Sequence, residues 1–358
     1  MNPERIEVRV GDTASVVWVG RGALEDPRRF LESPSGRWLL VSSRNARAVA
    51  ARLREALAAD LLLDLEIEDS EERKTLDTVR SIVDRALEAG VRRDDAFVAV
   101  GGGVVTDVVG FAAAIVLRGI AWNAVPTTVA AMADAAIGGK TGVDHALGKN
   151  LLGAFHLPRS ILVDPSAAAT LPARDLASGL VEAFKGAWIA DEDLSTQAES
   201  RLDRLLSRDE DALTDLLAGA VRVKAAIVSS DPFDRGSRRL LNFGHTLGHA
   251  FEAAGGYGHL RHGEAVAWGI AAALSISAER AGLSAADSAR IRSVLARLGP
   301  FPEPVRARET LEPLLVRDKK ATSRGLAGVL LEALGCARVE ESIPVEEWLA
   351  AAESVTIG

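Results

Sequence analysis

The sequence predicts an α/β dinucleotide-binding domain on a mostly parallel sheet, followed by an all-α domain. Three observations lead there. Short apolar runs alternate with helical stretches as far as Asp164, the pattern of strands joined by crossover helices. Gly101-Gly102-Gly103 separates the apolar run Phe97–Val100 from a helical stretch at Val104–Leu117. After Thr170-Leu171-Pro172 strand-like runs nearly vanish and long Ala- and Leu-rich segments take over. The predicted domains are therefore residues 1–170 and 171–358.

In chain order, Ile6–Val10 alternates at period two and Ser15–Val19 follows across Gly11-Asp12, which predicts a hairpin. Trp38–Ser42 reads as a strand, Asn45–Ala59 as a helix and Leu61–Ile67 as a strand. Glu72–Ala89 carries Leu76, Val79, Val83 and Leu87 at helical spacing and stops at Gly90. Ile120–Val125 and Ile161–Asp164 are further strands. The later helices are placed at Leu176–Ile189, Leu194–Leu206, Asp211–Ser229, His245–Ala254, Glu264–Ala281, Ala285–Leu298 and Val345–Ala352.

The chain has 358 residues, 48% of them hydrophobic and 4% aromatic, which calls for a large aliphatic core. A net charge of -8 argues against a general nucleic-acid binder, while leaving room for a local basic pocket. The single cysteine, Cys336, permits no internal disulfide. The longest apolar run, Val108–Leu117, falls well short of the roughly 20 residues that span a bilayer. With no basic-then-apolar leader pattern at the start, a cytoplasmic protein is expected, without membrane or nucleic-acid partners.

A strand, a glycine turn and a helix start present backbone N–H groups and a helix dipole to a phosphate. The glycines here do not follow the ordinary GxGxxG dinucleotide pattern. Lysines and threonines crowd the next fifty residues, in Pro126-Thr127-Thr128, Gly138-Gly139-Lys140-Thr141-Gly142-Val143 and Gly148-Lys149-Asn150.

Four of the six histidines, His245, His249, His259 and His262, fall within eighteen residues. His245 and His249 are four apart and share a helix face, a spacing that suits a divalent metal. Position 246 is Thr rather than Glu, so the zinc-protease pattern fails. Spacing alone leaves open which histidines are ligands. Glu182 and Lys185 lie three apart in an otherwise apolar helix; Lys224, Arg238, Arg239, Lys319 and Lys320 read as surface charges unless one ligand gathers them.

Taken together and in order, these motifs, with Gly148-Lys149-Asn150-Leu151-Leu152-Gly153-Ala154-Phe155 and Leu241-Asn242-Phe243-Gly244-His245-Thr246-Leu247-Gly248-His249, resemble the 3-dehydroquinate synthases of the sugar-phosphate cyclase family. The resemblance runs from about Trp38 to about Leu331. It implies a divalent ion, Zn²⁺ with Co²⁺ or another as alternatives, on Glu182, His245 and His262, with His249 turned to the substrate instead. It implies NAD on Ser43, Glu71, Lys74, Gly102, Gly103, Val104, Asp107, Thr127, Thr128, Lys140, Lys149, Thr170 and Leu171. The implied substrate site draws on Arg118, Asp134, Lys140, Asn150, Lys185, Lys224, Asp234, Arg238, Asn242, His249, Lys319 and Lys320. A homodimer is common in the family.

The implied substrate, 3-deoxy-D-arabino-heptulosonate 7-phosphate, carries a carboxylate and a phosphate, which explains a set of cations in an acidic protein. The implied reaction is a transient NAD-dependent oxidation, phosphate elimination, reduction and intramolecular aldol closure to 3-dehydroquinate, with no net redox change. Two positions depart from the family pattern. Ser43 stands where an Asp usually reads the adenosine ribose, which predicts weaker NAD binding; Asp234 stands where Glu is usual. The competing readings are a sibling cyclase that makes a valiolone, a deoxy-inosose or an amino-dehydroquinate, and an NAD- and metal-dependent polyol dehydrogenase. Siblings tend to alter the positions of Arg238, Asn242 and His249, all of which match here.

Overall fold

The computed structural model describes residues 2–316, 321–322 and 325–357. They form two compact units, residues 1–171 with 213–233, and residues 172–212 with 234–358.

The first unit is built on a seven-stranded sheet in the order β1-β2-β9-β6-β5-β3-β4. Its strands are β1 (Glu4–Val10), β2 (Thr13–Val19), β3 (Trp38–Ser43), β4 (Leu61–Ile67), β5 (Ala96–Gly101), β6 (Ala121–Pro126) and β9 (Ser160–Val163). Only β1 and β2 pair antiparallel; every other neighbouring pair is parallel. Helices α1 (Arg47–Leu57), α2 (Leu76–Glu88) and α3 (Gly103–Ile115) make the crossovers. Strands β3 and β5 are buried along their whole length, as strands covered on both faces must be. The chain runs outward from β3 to β4, then returns to place β5 on the other side of β3. The carboxyl ends of β3 and β5 therefore flank the switch point at which open α/β sheets bind ligands.

Local chemistry moves some predicted boundaries. The helix expected from Glu72 starts later, because Thr75 caps it by accepting the Thr78 N–H. Glu71–Arg73 forms a separate 3₁₀ turn instead, which leaves Glu71 and Lys74 off the helix. Between β6 and β9 the predicted glycine-lysine motifs form a second small sheet, the hairpin β7 (Lys140–His145) and β8 (Gly148–Phe155).

The second unit is predominantly helical, with α4 (Ala173–Ala190), α5 (Glu192–Ser200), α6 (Leu202–Leu206), α8 (His245–Ala254), α9 (His262–Arg280), α10 (Ala285–Leu298), α11 (Arg308–Val316) and α12 (Val345–Ser354). Its expected lack of strands needs correction. The short β10 (Ala321–Thr322) with β11 (Gly325–Ala333) and β12 (Cys336–Ile343) forms an antiparallel sheet. Gly-Leu-Ala-Gly-Val-Leu-Leu in β11 is apolar on both faces, so it shows no period-two signal. α7 (Glu210–Ser230) begins in the second unit, but residues 213–233 belong to the first. Arg222 pairs with Glu4 at 2.7 and 2.8 Å, and Ser229 Oγ accepts the Arg9 N–H at 2.9 Å. A single boundary near Thr170 does not describe that return.

Candidate metal and nucleotide sites

In the second unit three helices bring Glu182, His245 and His262 together. One ligand atom from each lies within 4.8 Å of the others. Glu182 sits mid-way along α4, 3% exposed, with Lys185 one turn on and its Nζ 2.5 Å from Oε2. His262 is the first residue of α9. The turn before it is fixed by Glu264, which accepts the Arg261 N–H at 2.8 Å and pairs with Arg174 Nε at 2.5 Å.

Gly263 then lets α9 meet α4 backbone to backbone. Its N–H donates to Ser178 Oγ at 3.0 Å, and a Cβ there would lie 1.9 Å from the Ser178 carbonyl oxygen. Ser178 is one helical turn before Glu182, so this contact delivers His262 Nε2 to 3.2 Å from Glu182 Oε1. His245 opens α8, with Nδ1 3.1 Å from the Phe243 carbonyl and Nε2 3.8 Å from the same Glu182 oxygen.

The donor set fits a divalent cation. Both Glu182 oxygens are buried, yet neither completes a well-aligned hydrogen bond among the described residues. Burial opposes ionisation of Glu182, but Lys185 and the two imidazoles hold its carboxyl well below the usual range. Burial and Lys185 push His245 well below its ordinary value, so it stands neutral, the form that ligates. His262, whose side chain is 43% exposed, moves the other way: Glu182 and Glu252 outweigh the desolvation of its ring and raise it to about 10. With the Glu182 and Glu252 carboxylates on opposite sides of the His262 ring, at 3.2 and 3.1 Å, the group favours a positive charge at its centre. One carboxylate and two imidazoles are also a set that zinc accepts with a position left open.

The other histidines separate by geometry. His249, the partner that helical spacing favours, lies with its ring centroid 5.2 Å from His245 and 6.0 Å from His262. It forms a second candidate group with Glu252 and His262. His259 is engaged elsewhere, with Nε2 2.8 Å from the Glu303 carbonyl. Asn242 ends a 3₁₀ turn that also holds the buried Arg238, just before α8. Asp234 takes a left-handed backbone, φ 58°. Lys319 and Lys320 lie outside the described residues.

In the first unit the glycine turn closes β5 and opens α3. A Cβ on Gly102 would lie 3.3 Å from both Asp69 Oδ2 and Thr128 Cγ2, and a Cβ on Gly101 would come 3.1 Å from Ser43 Cβ. The turn therefore sits against the end of β3, at the switch point. Gly102 N–H already points at an anion, the Asp69 carboxylate, at 3.3 Å. Beside it Ser70 Oγ is buried without a hydrogen-bond partner among the described residues. These features suit a phosphate-bearing nucleotide. Val104 lies in the first turn of α3, and Thr127 and Thr128 follow β6, where the Thr127 N–H donates to the Gly101 carbonyl at 2.9 Å. Thr170 and Leu171 end the unit's first segment.

A second cluster ties the hairpin to this turn. Lys74 Nζ lies 2.6 Å from Asp107 Oδ2 and 2.6 Å from Asn150 Oδ1, and Lys149 pairs with Glu71 at 3.0 Å. Asp144, absent from the predicted set, accepts the Asn150 N–H at 2.8 Å while its own N–H donates to the Lys74 carbonyl. Lys224 forms an ion pair with Asp134, which lies in a five-residue π-helix, Ala131–Ala135. Arg118 follows Leu117 in a turn of two left-handed residues and lines a cavity of about 610 Å³ with Gly138, His156 and Phe233.

The comparisons with known proteins decide the family. The pattern described as "3-dehydroquinate synthase N-terminal" matches residues 64–178, and "3-dehydroquinate synthase C-terminal" matches residues 179–321. The chain belongs to the 3-dehydroquinate synthase family. A 3-dehydroquinate synthase of Vibrio atlanticus is 37% identical over 95% of this chain and 96% of its own. That of Geobacter metallireducens is 43% identical over 76% of each chain. Among solved structures, the 2-epi-5-epi-valiolone synthase of Streptomyces hygroscopicus, with NAD⁺ and Zn²⁺ bound, is 30% identical. It has a TM-score of 0.87 and covers 97% of this chain and 98% of that one. Within the family fold, then, the described residues include two candidate cation groups that share His262 in the second unit and a glycine cradle in the first.

Proposed function

We propose that this chain is a 3-dehydroquinate synthase. It converts 3-deoxy-D-arabino-heptulosonate 7-phosphate to 3-dehydroquinate and phosphate. One observation carries the reading: in a chain of this family, Glu182, His245 and His262, far apart in sequence, each present a ligand atom within 4.8 Å of the others.

These three residues would hold Zn²⁺ or a similar ion, which when bound supplies Lewis acidity toward substrate hydroxyls. The cradle at Gly102, Gly103 and Thr128 would hold NAD⁺, which supplies a reversible hydride acceptor. The protein's own share is charge and orientation. In the first unit Lys74, fixed between Asp107 and Asn150, keeps the hairpin against the glycine turn. Lys140 and Asn150 are the proposed phosphate contacts there. Lys224, locked by Asp134, gives an oriented cation with little rotamer entropy left to lose. In the second unit Arg238, Asn242 and His249 are the proposed contacts for the acid end of the substrate. The buried Lys185 holds Glu182 ionised and ready to ligate.

NAD⁺ is expected to bind more tightly than NADP⁺. Ser43 Oγ already accepts the Asn45 N–H at 3.0 Å. The cations after β3 are also engaged, because Glu66 at the end of β4 takes Arg47 through two 2.9 Å contacts and Arg44 at 3.5 Å. A 2′-phosphate would face that carboxylate. Fluorescence titration of both cofactors checks this, and tighter NADP⁺ binding would reverse the assignment.

The deciding assay follows phosphate release and NADH absorbance together with the heptulosonate phosphate as substrate. Phosphate is expected without net NADH, lost to a chelator and restored by Zn²⁺. Steady NADH build-up would indicate a polyol dehydrogenase. Release only from other sugar phosphates would indicate a sibling cyclase.

A further inference from the structure

We propose that Glu252 is a positioning residue for His262, fixing which imidazole nitrogen faces the cation socket. The proposal rests on Glu182, His245 and His262 being ligands. Glu252 is a carboxylate only 3% exposed on α8, and none of the predicted roles uses it. Its Oε2 lies 3.1 Å from His262 Nδ1, while the opposite ring nitrogen, Nε2, lies 3.2 Å from Glu182 Oε1. In the neutral, ligating ring, hydrogen bonding at Nδ1 places the one proton there and leaves the Nε2 lone pair for a metal. His245 is oriented by the same device with a weaker acceptor, its Nδ1 lying 3.1 Å from the Phe243 carbonyl. An anionic acceptor raises the basicity of the ring more than a neutral one does, so His262 becomes the stronger donor of the two.

Helix α8 makes this possible. His245, His249 and Glu252 stand at i, i+4 and i+7 and so share one face. One helix thus supplies a ligand from its first turn and the group that orients a second ligand from its last. His249, Glu252 and His262 also present ligand atoms within 4.8 Å of one another, and in that alternative Glu252 would itself bind an ion.

The test uses full-length Glu252→Gln, which keeps the shape and an acceptor oxygen and loses the charge, beside Glu252→Ala. Zn²⁺ affinity is measured by competition with a chromophoric chelator, and the visible spectrum of the Co²⁺-loaded protein reports ligand geometry. Glu252→Ala is expected to weaken Zn²⁺ binding about 10- to 100-fold and to shift the Co²⁺ bands. Glu252→Gln is expected to recover part of the affinity and the unshifted bands, with a metal-free melting temperature close to wild type. If Glu252→Ala does not fold, the same comparison between Glu252→Gln and wild type decides, with weaker affinity expected. Wild-type affinity and an unchanged spectrum in Glu252→Gln would overturn the proposal. So would a second Zn²⁺ per wild-type chain that Glu252→Gln lacks, because Glu252 would then be a ligand. A wild-type chain that takes up no metal would instead sink the ligand assignment on which the proposal stands.

Discussion

His262→Ala should lose metal loading and turnover together. The substitution removes one of two imidazoles from a three-residue donor set and strips a neighbour from a carboxylate that is 3% exposed. Metal catalysis of this kind supplies several kcal/mol of charge stabilisation. A fall in phosphate release of about a thousandfold, roughly 4 kcal/mol, is therefore expected. Glu252 and Glu182 both lose an imidazole neighbour, so a lower melting temperature should accompany the loss. Nucleotide binding at the glycine cradle should survive, because none of those contacts involves His262. The informative contrast is His249→Ala, which should keep the metal and raise KM, since its proposed contact is with the substrate. Metal content by atomic emission and steady-state phosphate release measure both variants. A metal-replete His262→Ala with ordinary turnover would end the ligand assignment, and loss of metal in His249→Ala would move it to the second candidate group.

Parts of this arrangement were legible in the sequence and parts were not, for physical reasons. The parallel sheet was legible because its strands are short, apolar and set off by helices with clear periodicity; α8 and α10 fall where spacing placed them. β11 was not, because a strand covered on both faces has no alternation to detect and its Leu and Ala suit a helix equally well. Which histidines converge was also hidden. Helical spacing favours His245 with His249, but the imidazole that comes nearer to Glu182 than His245 does is His262, carried there by a helix–helix contact that no spacing rule contains. Glu252 was within reach of the sequence, seven residues after His245 on the same face. A carboxylate near a helix end reads as a solvated charge, however, so nothing in the sequence sets it apart. Asp144 gave no signal at all, since its role depends on a turn in which Asn150 adopts φ 55°.

Gly269→Ala should be strongly damaging although it replaces no proposed ligand, and the reason lies in how α8 meets α9. A Cβ at position 269 would stand 1.9 Å from the Gly244 carbonyl oxygen and 2.8 Å from the Gly248 N. Both are backbone atoms, so no side chain can swing aside to make room. Helix propensity alone predicts the opposite sign, because alanine inside a helix is favoured over glycine by about 1 kcal/mol. Relieving the overlap requires the two helices to part, and overpacking a tight core costs about 1–3 kcal/mol or more. The net expectation is a clear loss of stability. The same displacement moves His245, on α8, away from His262, on α9, so Zn²⁺ affinity should fall with it even though every ligand is intact. Gly258→Ala is the control, since nothing lies within 4 Å of a Cβ there; it should leave both readouts unchanged. Thermal unfolding and chelator competition on the two variants check the argument. A Gly269→Ala protein with wild-type melting temperature and wild-type Zn²⁺ affinity would show that close approach of α8 and α9 is not what assembles the metal ligands.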